Sequence, residues 1–268
     1  MFHLARQSRG RGFGMSRPAI LVTGGAKRLG AVVARAFGEA GWHVVIHYGR
    51  SAREAEALAD SLPSAEAIHC DLADGDAAVK LVEALAARLD DWRVLVNCAA
   101  IFRPDDVTGL DPQTYMRSMQ INAKTPTRMA QAFLRSARAS GGRRVIQFTD
   151  QKLANPNPDF FSYTISKHAM AGAIPMLAMG ACGPEDRVYG LAPGAILPSH
   201  DQGEDEIERS HVLNLLGRKT DAQEIADAAL FLAAGHLANG ETLYVDSGQH
   251  LLNQQRDVIY LARESVAS

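Results

Sequence analysis

Short apolar runs alternate with longer helical stretches along this chain, and that alternation constrains its fold more than any other feature. Residues 19–23 read AILVT and residues 94–97 read VLVN, almost wholly apolar, as strands covered on both faces must be. Further strand-like runs fall at 43–47, 65–69, 144–149, 187–191 and 242–245. Between or after them lie helical patterns at 29–40, 52–62, 74–89, 115–139, 163–181 and 221–233. This order builds right-handed βαβ units on a parallel sheet, with both faces under helices. The expectation is one doubly wound α/β domain over residues 18–268, with a seven-stranded, mostly parallel sheet.

Composition agrees and removes some function classes. The 268 residues are 47% hydrophobic and 22% charged, and the net charge of −2 provides no basic field to hold nucleic acid. No apolar run approaches the roughly 20 residues a membrane span needs, so no membrane partner is expected. The cysteines are Cys70, Cys98 and Cys182, unpaired in spacing, which fits a reducing, cytoplasmic setting. No Cys/His cluster or H-E-x-x-H is present, so no metal is expected. Residues 1–17 carry four arginines, three glycines and no acid, and read as a flexible tail rather than a transit peptide, with Met15 as an alternative start.

The first strand runs into Thr23-Gly24-Gly25-Ala26-Lys27-Arg28-Leu29-Gly30, and a helix follows. Glycines there let the backbone approach a pyrophosphate, and the helix start supplies free N–H donors. The pattern is close to T-G-x-x-x-G-x-G, with Arg28 at the middle glycine. A strand before and a helix after favour a Rossmann-type dinucleotide turn over an ordinary left-handed glycine turn. The second strand ends His47-Tyr48-Gly49-Arg50-Ser51, without the acid that binds a ribose 2′-hydroxyl. Arg50 and Ser51, with Arg28 across the turn, suit a 2′-phosphate and favour NADPH/NADP. Asp71, past the third strand, either meets the adenine edge or is a turn residue.

The reactive segment is Tyr163-Thr164-Ile165-Ser166-Lys167, which puts a phenol and an ammonium on one helix face. A free phenol titrates near 10. An ammonium about 4 Å away, worth on the order of 4 kcal/mol at an effective dielectric of 20, is expected to lower that value into the useful range. Asn97-Cys98-Ala99-Ala100 follows the fourth strand, Asn122 lies in the next helix, Thr149-Asp150 ends the fifth strand and Pro193-Gly194 follows the sixth. All sit at C-terminal strand ends or just beyond, where an open α/β sheet holds its ligand.

Together these motifs resemble the short-chain dehydrogenase/reductase family, in order and spacing, from about Pro18 to Gly248. The resemblance implies Tyr163 as general acid/base, Lys167 holding the nicotinamide ribose, and Asn122 keeping a relay water. It implies cofactor contacts from Gly24, Lys27, Arg28, Leu29 and Gly30; Tyr48, Arg50 and Ser51; Asp71 and Leu72. It continues through Asn97, Ala99, Thr149, Tyr163 and Lys167 to Pro193, Gly194 and Ile196. A homotetramer joined through the helices at 115–139 and 163–181 is a further implication.

Within that family the chain looks like a pteridine reductase. Asp150 stands where most members place a serine. An ionised carboxylate cannot donate to a carbonyl oxygen and repels an alkoxide. A carboxyl kept partly protonated beside a phenol suits a ring imine instead, whose nitrogen must gain a proton. Asp150 alternatively only caps its loop. The T-G-G-A-K-R-L-G turn and the H-Y-G-R-S segment match the pteridine reductase versions, and Phe102 falls where those enzymes stack a pterin on the nicotinamide. Phe102 alternatively only packs in the core. The substrate set is therefore Arg28, Phe102, Asp150 and Tyr163, with a pterin or folate as the small-molecule substrate. Three departures stand out. Ala100 lacks a hydroxyl, the acid-rich lid at about 195–216 is unlike the pteridine reductases, and Gln249-His250-Leu251 replaces the usual ending. The rival readings are an NADPH-dependent reductase of a ketone such as a 3-oxoacyl thioester, and a non-catalytic NADP-binding redox sensor.

Overall fold

The computed structural model describes residues 17–181, 183–198 and 202–267. Residues 1–16 of the expected tail, Cys182 and part of the expected lid (199–201) lie outside them. Seven strands form one sheet: β1 (Ala19–Thr23), β2 (His43–Tyr48), β3 (Ala65–His69), β4 (Trp92–Asn97), β5 (Arg144–Phe148), β6 (Arg187–Pro193) and β7 (Thr242–Val245). Their order is β3-β2-β1-β4-β5-β6-β7, and every pairing is parallel, so the "mostly parallel" expectation sharpens to all parallel. The order reverses between β1 and β4, which opens the ligand crevice at their C-terminal ends.

Alternation along each strand feeds two cores. Leu21, Val45, Leu95, Val145 and Val188 face α3 (Gly75–Arg88), α5 (Thr125–Ser136) and α6 (Phe161–Gly180), through residues such as Val82, Phe133 and Ile174. Ile20, Val22, Ile46, Val96 and Ile146 face α1 (Arg28–Glu39), α2 (Ala52–Ser61) and α8 (Ala222–Ala234), through Val33, Phe37, Leu58 and Leu232. Side-chain caps fix helix starts: Asp74 accepts the Asp76 and Ala77 N–H groups before α3, and Asp221 with Glu224 forms a capping box on α8. Gly235, at φ 80°, ends α8.

The single helix expected at 115–139 is instead three pieces. These are α4 (Pro112–Ser118), a π-helical turn at Met119–Lys124, and α5. Pro126 lies just past the π turn and has no N–H for the carbonyl of Asn122 four residues earlier, so the α-helical ladder is interrupted there. Such π turns gather at functional sites. Two further helices were not expected. The acid-rich stretch forms α7 (Glu204–Ser210), with three acids in its first turn, and α9 (Val258–Ala267) packs against it. Among the described residues no helix is long and apolar enough to cross a membrane.

Candidate active site

The glycine turn leaves β1 through Gly24 at φ +66°, where an added Cβ would sit 3.0 Å from the Ala99 Cα. A Cβ on Gly30 would lie 2.3 Å from the Gly24 carbonyl oxygen. Thr23 Oγ1 accepts the N–H groups of Cys98 and Ala99 at 3.0 and 3.1 Å, tying the turn to the end of β4. Arg28 takes the left-handed conformation, φ 54°, that explains why glycine suits its position. Its guanidinium donates to the carbonyls of Pro198 (2.7 Å) and Leu197 (3.3 Å), so it anchors the segment that follows β6. Lys27 precedes α1 without capping it, and its ammonium pairs with Glu54 at 2.6 Å.

These features fit a dinucleotide. The cradle has room only for bare backbone, and no side chain caps the N–H groups that open α1. The crevice runs into a cavity of about 440 Å³ lined by Gly24, Lys27, Arg28, Leu29 and Gly30, by Ala99, Phe102, Thr149 and Asp150, and by Tyr163, Lys167, Pro193, Gly194 and Ile196. The buried Thr149 hydroxyl has no partner among the described residues, an open polar atom in the cavity wall.

Other predicted residues lie elsewhere. Tyr48, the last residue of β2, is outside the cavity, as are Arg50, Ser51, Asp71 and Leu72, which lie beyond the ends of β2 and β3. Ser51 precedes α2 with its hydroxyl free of a cap bond, and Arg50 is exposed. Asp71 Oδ1 accepts the Ala73 N–H at 3.0 Å, the turn role, while buried Leu72 gives its carbonyl to Thr125. Asn97, expected at the cofactor, is turned under the sheet, where its Nδ2 donates to the Pro126 carbonyl at 3.1 Å. Strand alternation puts that side chain with Leu95 on the face covered by α3, α5 and α6.

At the cavity floor the Tyr163 hydroxyl donates to Asp150 Oδ2 at 2.6 Å. Asp150 Oδ1 accepts the Lys152 N–H at 2.9 Å. Lys167 Nζ lies 5.6 Å from the centre of the Tyr163 ring and donates to the Phe148 carbonyl at 2.5 Å. The expected lowering of the phenol is therefore corrected. Burial first, then the charge and hydrogen bond of Asp150, hold Tyr163 well above its ordinary value. Burial also raises Asp150, against the pull of Tyr163, the Lys152 N–H and Lys167, and burial lowers Lys167. The helix spacing did bring phenol and ammonium to one face, but the tyrosine's nearest charge is a carboxylate. Coupled in this way, Tyr163 and Asp150 form one proton-holding unit.

Asn122 is buried, its Oδ1 accepting the Ile101 N–H at 2.8 Å and its Nδ2 donating to the Ile101 carbonyl (2.9 Å) and Ser166 Oγ (3.0 Å). Ser166 Oγ donates to the Tyr163 carbonyl at 2.6 Å, so Asn122 braces the helix turn that carries the phenol. Phe102 stacks on Phe160, centroids 4.0 Å apart, and stands edge-on to Tyr163 at 4.7 Å. One face of Phe102 is thus already covered, which leaves only the other for a flat ring. Phe160, at φ 53°, is held by Asp105, whose carbonyl accepts its N–H at 2.8 Å and whose carboxylate accepts the Ser162 N–H.

Sequence reasoning missed Lys152, Phe160, His211 and Asp257. Lys152, His211 and Asp257 line the cavity, and Phe160 backs Phe102. The usable signal was Asp257 before an apolar run, an N-cap pattern that marks a helix returning at the chain's end.

Comparisons with known proteins follow the same line. A family model described as enoyl-(acyl carrier protein) reductase matches residues 24–250. The crystal structure of FolM alternative dihydrofolate reductase 1 from Brucella canis, complexed with NADP, is 31% identical with a TM-score of 0.83, covering 90% of this chain and 97% of that one. Pteridine reductase 1 of Leishmania tarentolae is 28% identical, with 87% of this chain and 96% of that protein aligned. A ketoacyl reductase of the granaticin polyketide synthase of Streptomyces violaceoruber is 27% identical, with 88% and 97% aligned.

Proposed function

This chain belongs to the short-chain dehydrogenase/reductase family as an NADP-dependent oxidoreductase, and from that premise we propose that it reduces a C=N bond of a pterin or folate ring. The observation that carries this reading is the 2.6 Å bond from the Tyr163 hydroxyl to Asp150, at the cavity floor where most family members place a serine.

When bound, NADPH would supply a hydride to the ring carbon, leaving the nitrogen of the C=N bond in need of a proton. Tyr163 Oη, backed by the Asp150 carboxyl, presents that proton. Burial keeps both groups toward their protonated forms, the state a donor needs. Lys167, fixed on the Phe148 carbonyl, would hold the nicotinamide ribose, and Asn122 keeps the Tyr163 turn in register. The free face of Phe102 gives a flat substrate ring a stacking surface worth about 1 kcal/mol beyond burial. Arg50 and Ser51, with no acid at the end of β2, are the groups proposed for the 2′-phosphate.

The reading also draws on the named relatives, a dihydrofolate reductase bound to NADP and a pteridine reductase. The ketoacyl reductase relative supports reduction of a 3-oxoacyl ketone more weakly, because the Asp150 oxygen beside Tyr163 accepts the phenol's hydrogen bond and is not a donor to a carbonyl. We place the protein in the cytoplasm as a homotetramer, in keeping with the family resemblance. The test is NADPH oxidation across dihydropterins, dihydrofolate and acetoacetyl thioesters, with Tyr163→Phe as the control. Pterin or folate turnover that falls at least about 100-fold in the variant, with NADPH binding intact, supports the proposal. Turnover of the thioester alone, or a variant retaining most activity, refutes it.

A further inference from the structure

The cavity carries a second charge pair that the proton-holding unit does not use. Asp257, just before α9, and Lys152, in the turn after β5, both line the cavity, and the Lys152 ammonium lies 3.3 Å from Asp257 Oδ2. The Lys152 side chain is only 4% exposed and that of Asp257 15%. Lys152 Nζ also donates to the Asp159 carbonyl at 2.6 Å. The Asp159 carboxylate accepts Arg256 Nε at 2.9 Å and the Asp257 N–H at 2.8 Å, which fixes where the Asp257 carboxyl stands. Two chain segments far apart in sequence thus converge on one wall of the site.

Counting bonds shows what the pair still offers. Among the described residues the Asp257 carboxylate accepts only the Ile259 N–H, at 3.1 Å, and the Lys152 ammonium. An ionised carboxylate has roughly four acceptor positions, so capacity remains on both oxygens. An ammonium has three donors; two hydrogen-bond here, and among the described residues the third has no hydrogen-bond partner, the nitrogen lying 5.3 Å from the centre of the Phe160 ring. The wall therefore presents acceptor, acceptor and donor side by side. The complementary ligand edge is donor, donor, acceptor: an exocyclic amine, a ring N–H and a ring carbonyl in a row. A 2-amino-4-oxopyrimidine has that order, and a parallel pair of N–H donors is what a carboxylate binds best.

We infer that Asp257, seconded by Lys152, is the specificity residue that reads the 2-amino-4-oxopyrimidine edge of the substrate. The inference rests on the pterin reading above and narrows it: the unit recognised is the aminopyrimidinone ring, not the substituent on the far ring. Recognition then depends on the C-terminal arm, because Arg256 and Asp257 bring the carboxylate to the cavity.

The test compares 6-methyl-7,8-dihydropterin with its 2-oxo counterpart, 6-methyl-7,8-dihydrolumazine, in wild type and Asp257→Asn. Asparagine still accepts the Ile259 N–H and keeps the helix cap, but it offers a single acceptor oxygen. Wild type is expected to favour the amino compound by about 10- to 100-fold in kcat/KM, the size of a charge-assisted pair. In the variant KM for the amino compound rises by about 10-fold or more, kcat falls less, and the preference collapses to within about threefold. A thermal melt close to wild type shows that the cap survives. A preference equally strong in the variant, or a loss confined to kcat, overturns the inference. A penalty seen only with hydroxylated 6-side chains also overturns it, by moving Asp257 to the substituent. Wild type that reduces the dihydropterin without preference sinks this inference alone, whereas wild type inert toward pterins and folates sinks the function proposal itself.

Discussion

The Gly24 N–H donates to Nδ1 of His47 at 3.1 Å, a bond that joins the glycine turn to β2. The other ring nitrogen, Nε2, pairs with the Cys70 carbonyl at 2.9 Å, so the network requires the neutral ring with its proton on Nε2. His47 is 2% exposed and holds both β2 and the end of β3 against the dinucleotide cradle.

Burial pulls His47 below its ordinary value of 6.5, with the Cys70 carbonyl working the other way. A histidine with a lowered folded value contributes stability that is complete above 6.5 and lost as pH falls through the lowered value. Protonation would also aim an Nδ1–H at the Gly24 N–H. We expect the melting temperature and NADPH affinity to fall together between about pH 7.5 and about pH 5. His47→Gln, which cannot titrate, should melt lower at neutral pH with a flatter acid limb. Equal acid slopes in the two proteins, by calorimetry and fluorescence titration, would discard this role.

Asp150 works in the opposite sense. Its folded value is raised, first by burial, so its contribution to stability is complete below the ordinary value of 3.8 and is lost as pH rises through the raised value. Asp150→Asn removes that loss, and its melting temperature should gain on wild type as pH rises from about 4 to about 8. Activity should move the other way. Pterin reduction should fall by about 100-fold or more in Asp150→Asn, and the alkaline decline of wild-type kcat/KM should vanish. Asp150→Ser should lose pterin reduction and gain ketone reduction. A wild-type rate flat over that range would remove the carboxyl from the proton path.

Gly30 tests the cradle. A methyl group there meets the Gly24 carbonyl oxygen at 2.3 Å, backbone that cannot step aside. Gly30→Ala should cost about 3 kcal/mol or more of stability and weaken NADPH binding more than pterin binding. A folded variant with wild-type NADPH affinity would show that the turn does not seat the pyrophosphate.

Much of this site was readable in advance because its parts are local. The Gly24–Gly30 turn, the Tyr163–Lys167 spacing and Asp150 at a strand end each lie within a few residues, where backbone sterics and helix period dictate geometry. Asn97 was misjudged because strand parity, not proximity to a motif, decides which way a side chain points. The helix at 115–139 is broken by a π turn at Met119–Lys124, just before Pro126, which a hydrophobic period does not register. Asp257 and Lys152 escaped notice because they are 105 residues apart in the chain.

By itself the sequence determined the doubly wound sheet, the nucleotide turn and the residues at the strand ends, since these follow from apolar period and turn chemistry within short windows. Only the tertiary structure decided which charge the Tyr163 hydroxyl meets and which wall Asp257 supplies. Electrostatic pairing and burial depend on through-space distance, and folding sets that distance between residues that the chain order keeps apart.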